Sequence, residues 1–224
     1  MRARVVILIS GSGSNMLALL DAVQQQQLDA DIVAVISSNP IAAGIQKAQE
    51  KGIHTAILSH KEFADRANFD QALTVLIDSF QPDLVVLAGF MRILTSEFVM
   101  HFAGKLVNIH PSLLPKYRGL HTHQRALDAG DKEHGCSIHF VTVELDGGPV
   151  IAQAKVPIME GDTPTSLAQR VQIAEHQLYP LCVKWFCSGE LRSDSNNATL
   201  NGKLLPAEGK QFRLNQANKL EILN

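Results

Sequence analysis

A chain of 224 residues is long enough to bury a substantial apolar core, as one large α/β domain or two small ones. It is 46% hydrophobic and 19% charged, and its 20 basic and 22 acidic side chains leave a formal charge of -2 with no run of either sign. Polyanions and acidic lipid surfaces are met by basic footprints, so this balance points away from nucleic acid and membrane partners and toward small-molecule ligands.

Cys136, Cys182 and Cys187 are odd in number and form no CxxC, which argues for reduced, packing thiols rather than a disulfide framework. Residues 1–10 carry a short apolar run that meets glycines at once, with no small-residue cleavage site; they read as a first strand rather than a secretory leader. No apolar stretch approaches the roughly 20 residues needed to cross a bilayer. A cytoplasmic location is the expectation.

Apolar runs bounded by Gly, Pro, Asn or Asp predict strands over 5–9, 32–36, 54–58, 84–88 and 106–109. Helical spacing of apolar residues predicts helices over 15–27, 42–51, 62–80 and 96–102 between and after them. Strand and helix in this alternation imply an α/β fold, a doubly wound, mostly parallel Rossmann-like sheet with right-handed crossovers. Beyond Pro111 the pattern changes to two strands over 137–143 and 150–156 and a long helix over 164–186. Asn201-Gly202, flanked by 198–200 and 203–205, is a hairpin turn signal. Residues 1–209 are expected to form a single domain, with a nucleotide-binding half over 1–110 and a catalytic half over 111–209. Residues 210–224 are expected to be a mobile tail.

The first strand runs into Ser10-Gly11-Ser12-Gly13-Ser14-Asn15 ahead of a helix, so backbone amides can point outward at the positive end of that helix. No Lys-Ser/Thr pair follows, which excludes a Walker A loop, and Met16 stands where a dinucleotide fingerprint needs its third glycine. The second strand ends in Ser37-Ser38-Asn39 without an acid to hold a ribose. A phosphate monoester fits this loop better than NAD or ATP. The alternative is a tight turn in which Ser14 or Asn15 caps the helix and no ligand binds.

Asn108 and His110 lie two apart at the carboxyl end of the fifth strand, on one side of the chain. An amide can donate to a developing oxyanion, and an imidazole can hold or move a proton near neutral pH. Asp146, in the turn Leu145-Asp146-Gly147-Gly148, could approach the imidazole and favour its charged form. Taken singly, Asp146 is an ordinary turn residue and His110 an ordinary core histidine.

Taken with their surroundings they carry more. The segments AGFMRIL from Ala88, NIHPSLLPKYRG from Asn108 and ELDGGPVI from Glu144 occur in that order, with the ISGSGSN loop, HGCSIHFV and RVQIAEHQLYP. Together they resemble the folate-dependent formyltransferase family over nearly the whole chain as far as Pro206. The resemblance implies transfer of a formyl group from 10-formyltetrahydrofolate, as co-substrate, to the amine of glycinamide ribonucleotide in purine biosynthesis. It implies catalytic places for Asn108, His110 and Asp146, and nucleotide contacts at Gly13, Ser14, Asn15, Gln172, Ile173, Ala174 and Glu175. It implies folate contacts at Arg66, Met91, Arg92, Ile93, Leu94, Asn108, Thr142, Val143, Glu144, Leu145 and Asp146.

His121, His123, His134 and Cys136 match no usual zinc spacing, and no metal is expected. Three other readings stay in view. A formyltransferase acting on initiator tRNA would bring a separate basic carboxyl-terminal domain, and a hydrolase releasing formate from the folate would bring an added amino-terminal domain. A non-catalytic sensor on the same fold would not need the amide, imidazole and carboxylate at once. A monomer and a homodimer are equally compatible with the sequence.

Overall fold

The apolar runs of the first half become strands covered on both faces. In the computed structural model, which describes residues 1–194 and 196–223, β1 (Ala3–Ile9), α1 (Ser14–Gln24), β2 (Ala30–Ser37), α2 (Ala43–Glu50) and β3 (Thr55–Ile57) come first. They are followed by α3 (Arg66–Ser79), β4 (Leu84–Leu87), α4 (Ser96–His101), β5 (Leu106–His110) and α5 (Thr122–Asp128). Next come β6 (Glu133–Phe140), β7 (Val150–Pro157) and the long α6 (Pro164–Cys187). The chain closes with β8 (Leu191–Ser193), β9 (Ala198–Leu200), β10 (Lys203–Leu204), β11 (Lys210–Leu214) and β12 (Leu220–Ile222).

Nine strands make one sheet in the order β12-β11-β7-β6-β5-β4-β1-β2-β3. β1 to β5 pair in parallel, β6 runs antiparallel to β5 and β7, and β11 lies parallel to β7. The doubly wound, mostly parallel architecture is therefore present. Alternation along β1 sends Val5, Ile7 and Ile9 into a core shared with Met16 and Leu19 of α1 and Leu178 and Tyr179 of α6. It sends Val6 and Leu8 into a second core with Phe69 and Leu73 of α3 and Phe98 of α4. Strand order reverses beside β1, with β2 on one side and β4 on the other, so the loops leaving β1 and β4 diverge around a crevice.

The smaller sheet, β10-β9-β8, contains the expected hairpin. Its turn residues Asn201 and Gly202 have φ of 52° and 74°, the left-handed pair that a two-residue hairpin requires. The fold departs from expectation in three places. β6 starts at Glu133 and ends at Phe140, because Gly135 lies where a Cβ would come within 1.9 Å of the Ala154 carbonyl oxygen; the glycine marks close strand pairing, not a break. α5 follows His121, whose φ of 59° starts the helix without a capping side chain and so without a sequence signal. Residues 210–222 are not a loose tail: Lys210–Leu214 alternates, burying Phe212 near Trp185 and Leu214, and extends the main sheet at the β7 edge.

Tyr179 fastens α6 to the sheet. Its buried hydroxyl is 2.9 Å from the Leu87 carbonyl oxygen at the end of β4 and 3.2 Å from that of Val107 near the start of β5. Tyr179→Phe removes the donor and leaves both carbonyls without it. Urea unfolding should show a loss of about 1–3 kcal/mol with an unchanged denaturant slope.

Candidate active site

The loop after β1 is shaped by Gly13, whose φ of 72° ends it and begins α1. A Cβ there would lie 3.1 Å from the Gly44 backbone, so the tight approach of α2 also requires a glycine. No side chain caps α1, and Ser14 and Asn15 are engaged elsewhere. Gln172 Nε2 donates to Ser14 Oγ at 3.0 Å, and Asn15 Nδ2 donates to Glu175 Oε2 at 2.9 Å. Burial pushes the Glu175 carboxyl above its ordinary range, against the opposing effect of the Asn15 hydrogen bond. Asn15 Oδ1 is buried without a partner among the described residues. Of the neighbouring positions named from sequence, Ile173 stays partly exposed, whereas Ala174 packs into the core and offers the loop nothing polar.

At the end of β5 the antiparallel register sets Asn108 opposite His139 and His110 opposite Ser137. His139 Nδ1–H donates to the Phe140 carbonyl oxygen at 2.9 Å, so its Nε2 is an acceptor and takes a hydrogen bond from Asn108 Nδ2 at 3.1 Å. Burial holds the His139 imidazole well below its ordinary pKa, keeping it neutral as this pairing requires. His110 Nε2–H donates to the Tyr117 carbonyl oxygen at 2.9 Å. Its Nδ1 lies 3.4 Å from Asp146 Oδ2, and Asp146 Oδ1 lies 3.8 Å from His139 Nε2. The structure thus brings Asn108, His110 and Asp146 together, with His139 between amide and carboxylate.

The Asp146 carboxylate is aimed by its turn. Its own φ is 49°, and the Gly119 N–H donates to Oδ2 at 2.9 Å. Gly148 is obligatory, because a Cβ there would sit 1.9 Å from the Phe140 carbonyl oxygen. Met91, Arg92, Ile93 and Leu94 form the coil leaving β4, with Met91 and Ile93 exposed and Leu94 packed on the second core. Thr142, Val143 and Glu144 line a cavity of about 580 Å³ with Val99 and Phe140. Arg118 pairs with Glu144, Leu145 is exposed, and Arg66 opens α3 on the surface.

Residues 3–183 match the family described as Formyl transferase. The chain belongs to the formyl transferase family. It is 52% identical to the phosphoribosylglycinamide formyltransferase of Escherichia coli over 205 residues, 92% of this chain and 97% of that one. It is 46% identical to the enzyme of the same name from Haemophilus influenzae, over 92% of this chain and 97% of that one. A solved phosphoribosylglycinamide formyltransferase from Coxiella burnetii superposes with a TM-score of 0.90 at 47% identity, covering 94% of this chain and 99% of that chain.

In this formyl transferase the loop after β5 carries a second, half-exposed network that sequence reasoning left unassigned. Tyr117 OH donates to Asp131 Oδ2 at 2.8 Å, and Lys116 Nζ is 3.0 Å from the same carboxylate, so the carbonyl that holds His110 is itself held. His123 and His134, entertained from sequence as metal ligands, meet through Nδ1 and Nε2 at 3.1 Å as a hydrogen-bonded pair. Among the described residues no group of three or more His, Cys, Asp or Glu side chains is arranged to hold a metal ion. No helix among them is long and apolar enough to cross a membrane.

Burial first, then His123, lowers the His134 pKa to about 4 from an ordinary 6.5. A histidine kept neutral in the fold but not in the unfolded chain supports stability above pH 6.5, and that support is lost as pH falls toward 4. His134→Gln removes this dependence. The stability gap between wild type and variant, from urea unfolding, should therefore narrow between pH 7 and pH 4.5; a constant gap would place the titration elsewhere.

Proposed function

We propose that this formyl transferase passes the formyl group of 10-formyltetrahydrofolate to the amine of glycinamide ribonucleotide in purine biosynthesis. The observation that carries the proposal is the convergence of Asn108, His110 and Asp146 at the carboxyl end of β5. The nucleotide phosphate would sit at the uncapped start of α1, against Gly13 to Asn15. Asn15 Oδ1 and the buried Glu175 carboxyl then offer unspent polar capacity to the nucleotide, beside Gln172. The folate would run along Met91 to Leu94 and into the region of Thr142 to Asp146, with Arg66 and Arg92 as cations for its carboxylates.

The amine nitrogen attacks the formyl carbon, and the carbonyl oxygen gathers negative charge as the carbon becomes tetrahedral. Asn108, oriented by His139, has a second amide N–H to donate to that oxygen. His110 Nε2 is spent on Tyr117, so only Nδ1 is free to donate, and it can do so only as an imidazolium. Asp146 supplies the counter-charge 3.4 Å away. Through that carboxylate, or a water beside it, the proton lost by the attacking nitrogen reaches the folate nitrogen as the carbon–nitrogen bond to it breaks. Tetrahydrofolate and the formylated amine leave without a covalent enzyme intermediate and without a metal. In this reading residues 1–209 act as one catalytic unit, the first 110 chiefly for the nucleotide and the rest for folate and chemistry. Both substrates are small and soluble, as suits a cytoplasmic enzyme acting as a monomer or a homodimer.

Release of tetrahydrofolate, followed by absorbance, should require glycinamide ribonucleotide; release in its absence would make the chain a hydrolase instead. Asn108→Ala and His110→Ala should each lower turnover by about 10² to 10³. Asp146→Asn removes the counter-charge, so one limb of the pH–rate profile should move; an unmoved profile excludes Asp146 from this role.

A further inference from the structure

The coil between β4 and α4 is pinned from outside at both ends. Where it begins, the Met91 N–H donates to Ser10 Oγ at 2.9 Å, and the Ser10 N–H donates to the Gly89 carbonyl oxygen at 3.1 Å. Ser10 is itself fixed, with its Oγ 2.9 Å from Ser38 Oγ and its carbonyl oxygen accepting from Asn39 Nδ2 at 3.2 Å. Where the coil ends, the Thr95 N–H donates to Asp70 Oδ2 at 2.6 Å, and Thr95 Oγ1 then accepts from Phe98 N to start α4.

Little else holds this coil in place. Met91 is 72% exposed and Ile93 61%, so beyond Phe90 apolar burial fastens it through Leu94. Asp70, in contrast, is 2% exposed, and its Oδ1 is buried with no partner among the described residues. Burial raises its pKa despite the Thr95 hydrogen bonds and the nearby Arg66 and Arg92. Keeping a half-satisfied carboxyl in the interior is costly. The fold accepts that cost at the exit of a segment whose outward side chains, Met91 and Ile93, are apolar and exposed.

We propose that Ser10 and Asp70 are positioning residues that hold the 91–95 coil in the shape that receives the folate, Ser10 doing so from the same loop that cradles the nucleotide phosphate. The proposal rests on the reading of this coil as a folate contact. Neither side chain touches substrate in that reading. They act by removing conformational freedom that folate binding would otherwise have to remove.

The test uses the full chain with Asp70→Ala, Asp70→Asn and Ser10→Ala. Tetrahydrofolate, which cannot turn over, is titrated calorimetrically, and KM and kcat are measured for both substrates. Asp70→Ala and Ser10→Ala should weaken tetrahydrofolate binding and raise the KM for 10-formyltetrahydrofolate by about tenfold, with the nucleotide KM within about twofold and kcat changing less than KM. Asp70→Asn, whose amide oxygen can still accept from Thr95, should stay within about threefold of wild type. Unchanged folate affinity in Asp70→Ala would overturn the proposal. So would parallel loss of both affinities in step with a lowered melting temperature, or an Asn variant no better than Ala. A wild type that binds no tetrahydrofolate refutes the folate reading instead. Hydrogen exchange then still decides the pinning, with faster exchange at the Thr95 amide expected in Asp70→Ala and unchanged exchange counting against it.

Discussion

The register between β5 and β6 is the constraint on which the site depends. It sets Asn108 against His139 across an antiparallel pair, on the face where His110 emerges two residues later. A slip of one residue would turn the amide to the opposite face of the sheet and replace His139 with an apolar neighbour. Because the Phe140 carbonyl claims His139 Nδ1–H, the ring can face Asn108 only as an acceptor. The Asn108 amide is thereby held nitrogen-first toward the histidine. The catalytic proposal relies on that orientation, and a backbone pairing supplies it.

The same economy governs the loop after β1. The glycines leave α1 without a side-chain cap, and the two polar residues that could have capped it are drawn away to α6 by Gln172 and Glu175. An uncapped helix start and a buried acid are both destabilising alone. Together they keep backbone amides and a carboxyl free around one space. Tyr179 lies one turn further along α6 and secures that helix to β4 and β5, so the loop, the β5 end and the long helix share one frame.

Much of this was legible in the chain. β1, β2 and β4 carry continuous apolar runs because both faces of the sheet are covered, and such runs are hard to mistake. Asn201-Gly202 named its own turn. Residues 210–214 escaped notice because K-Q-F-R-L places only two apolar side chains inward, and a short alternating strand at a sheet edge resembles a polar tail. In the site, Asn108, His110 and Asp146 stood out by their motifs, whereas His139 sat unremarked inside a strand. Its importance comes from a cross-strand partner 31 positions away. Ala174 shows the opposite limit, since a contiguous motif over four helical residues necessarily includes one that faces the core.

The histidines also divide their labour by environment. His123, His134 and His139 are all pushed toward the neutral form, first by burial and, in each case, also by the charge of His110. Such coupling is mutual, so several imidazolium ions cannot coexist in this pocket without strong repulsion. Of these rings His110 lies nearest Asp146, 3.4 Å away through an Nδ1 that makes no backbone hydrogen bond. His139 also approaches Asp146, but through the nitrogen that must stay bare to receive Asn108. Neutral neighbours leave the Asp146 carboxylate to face the His110 Nδ1, and formyl transfer calls for favourable electrostatics at the developing oxyanion.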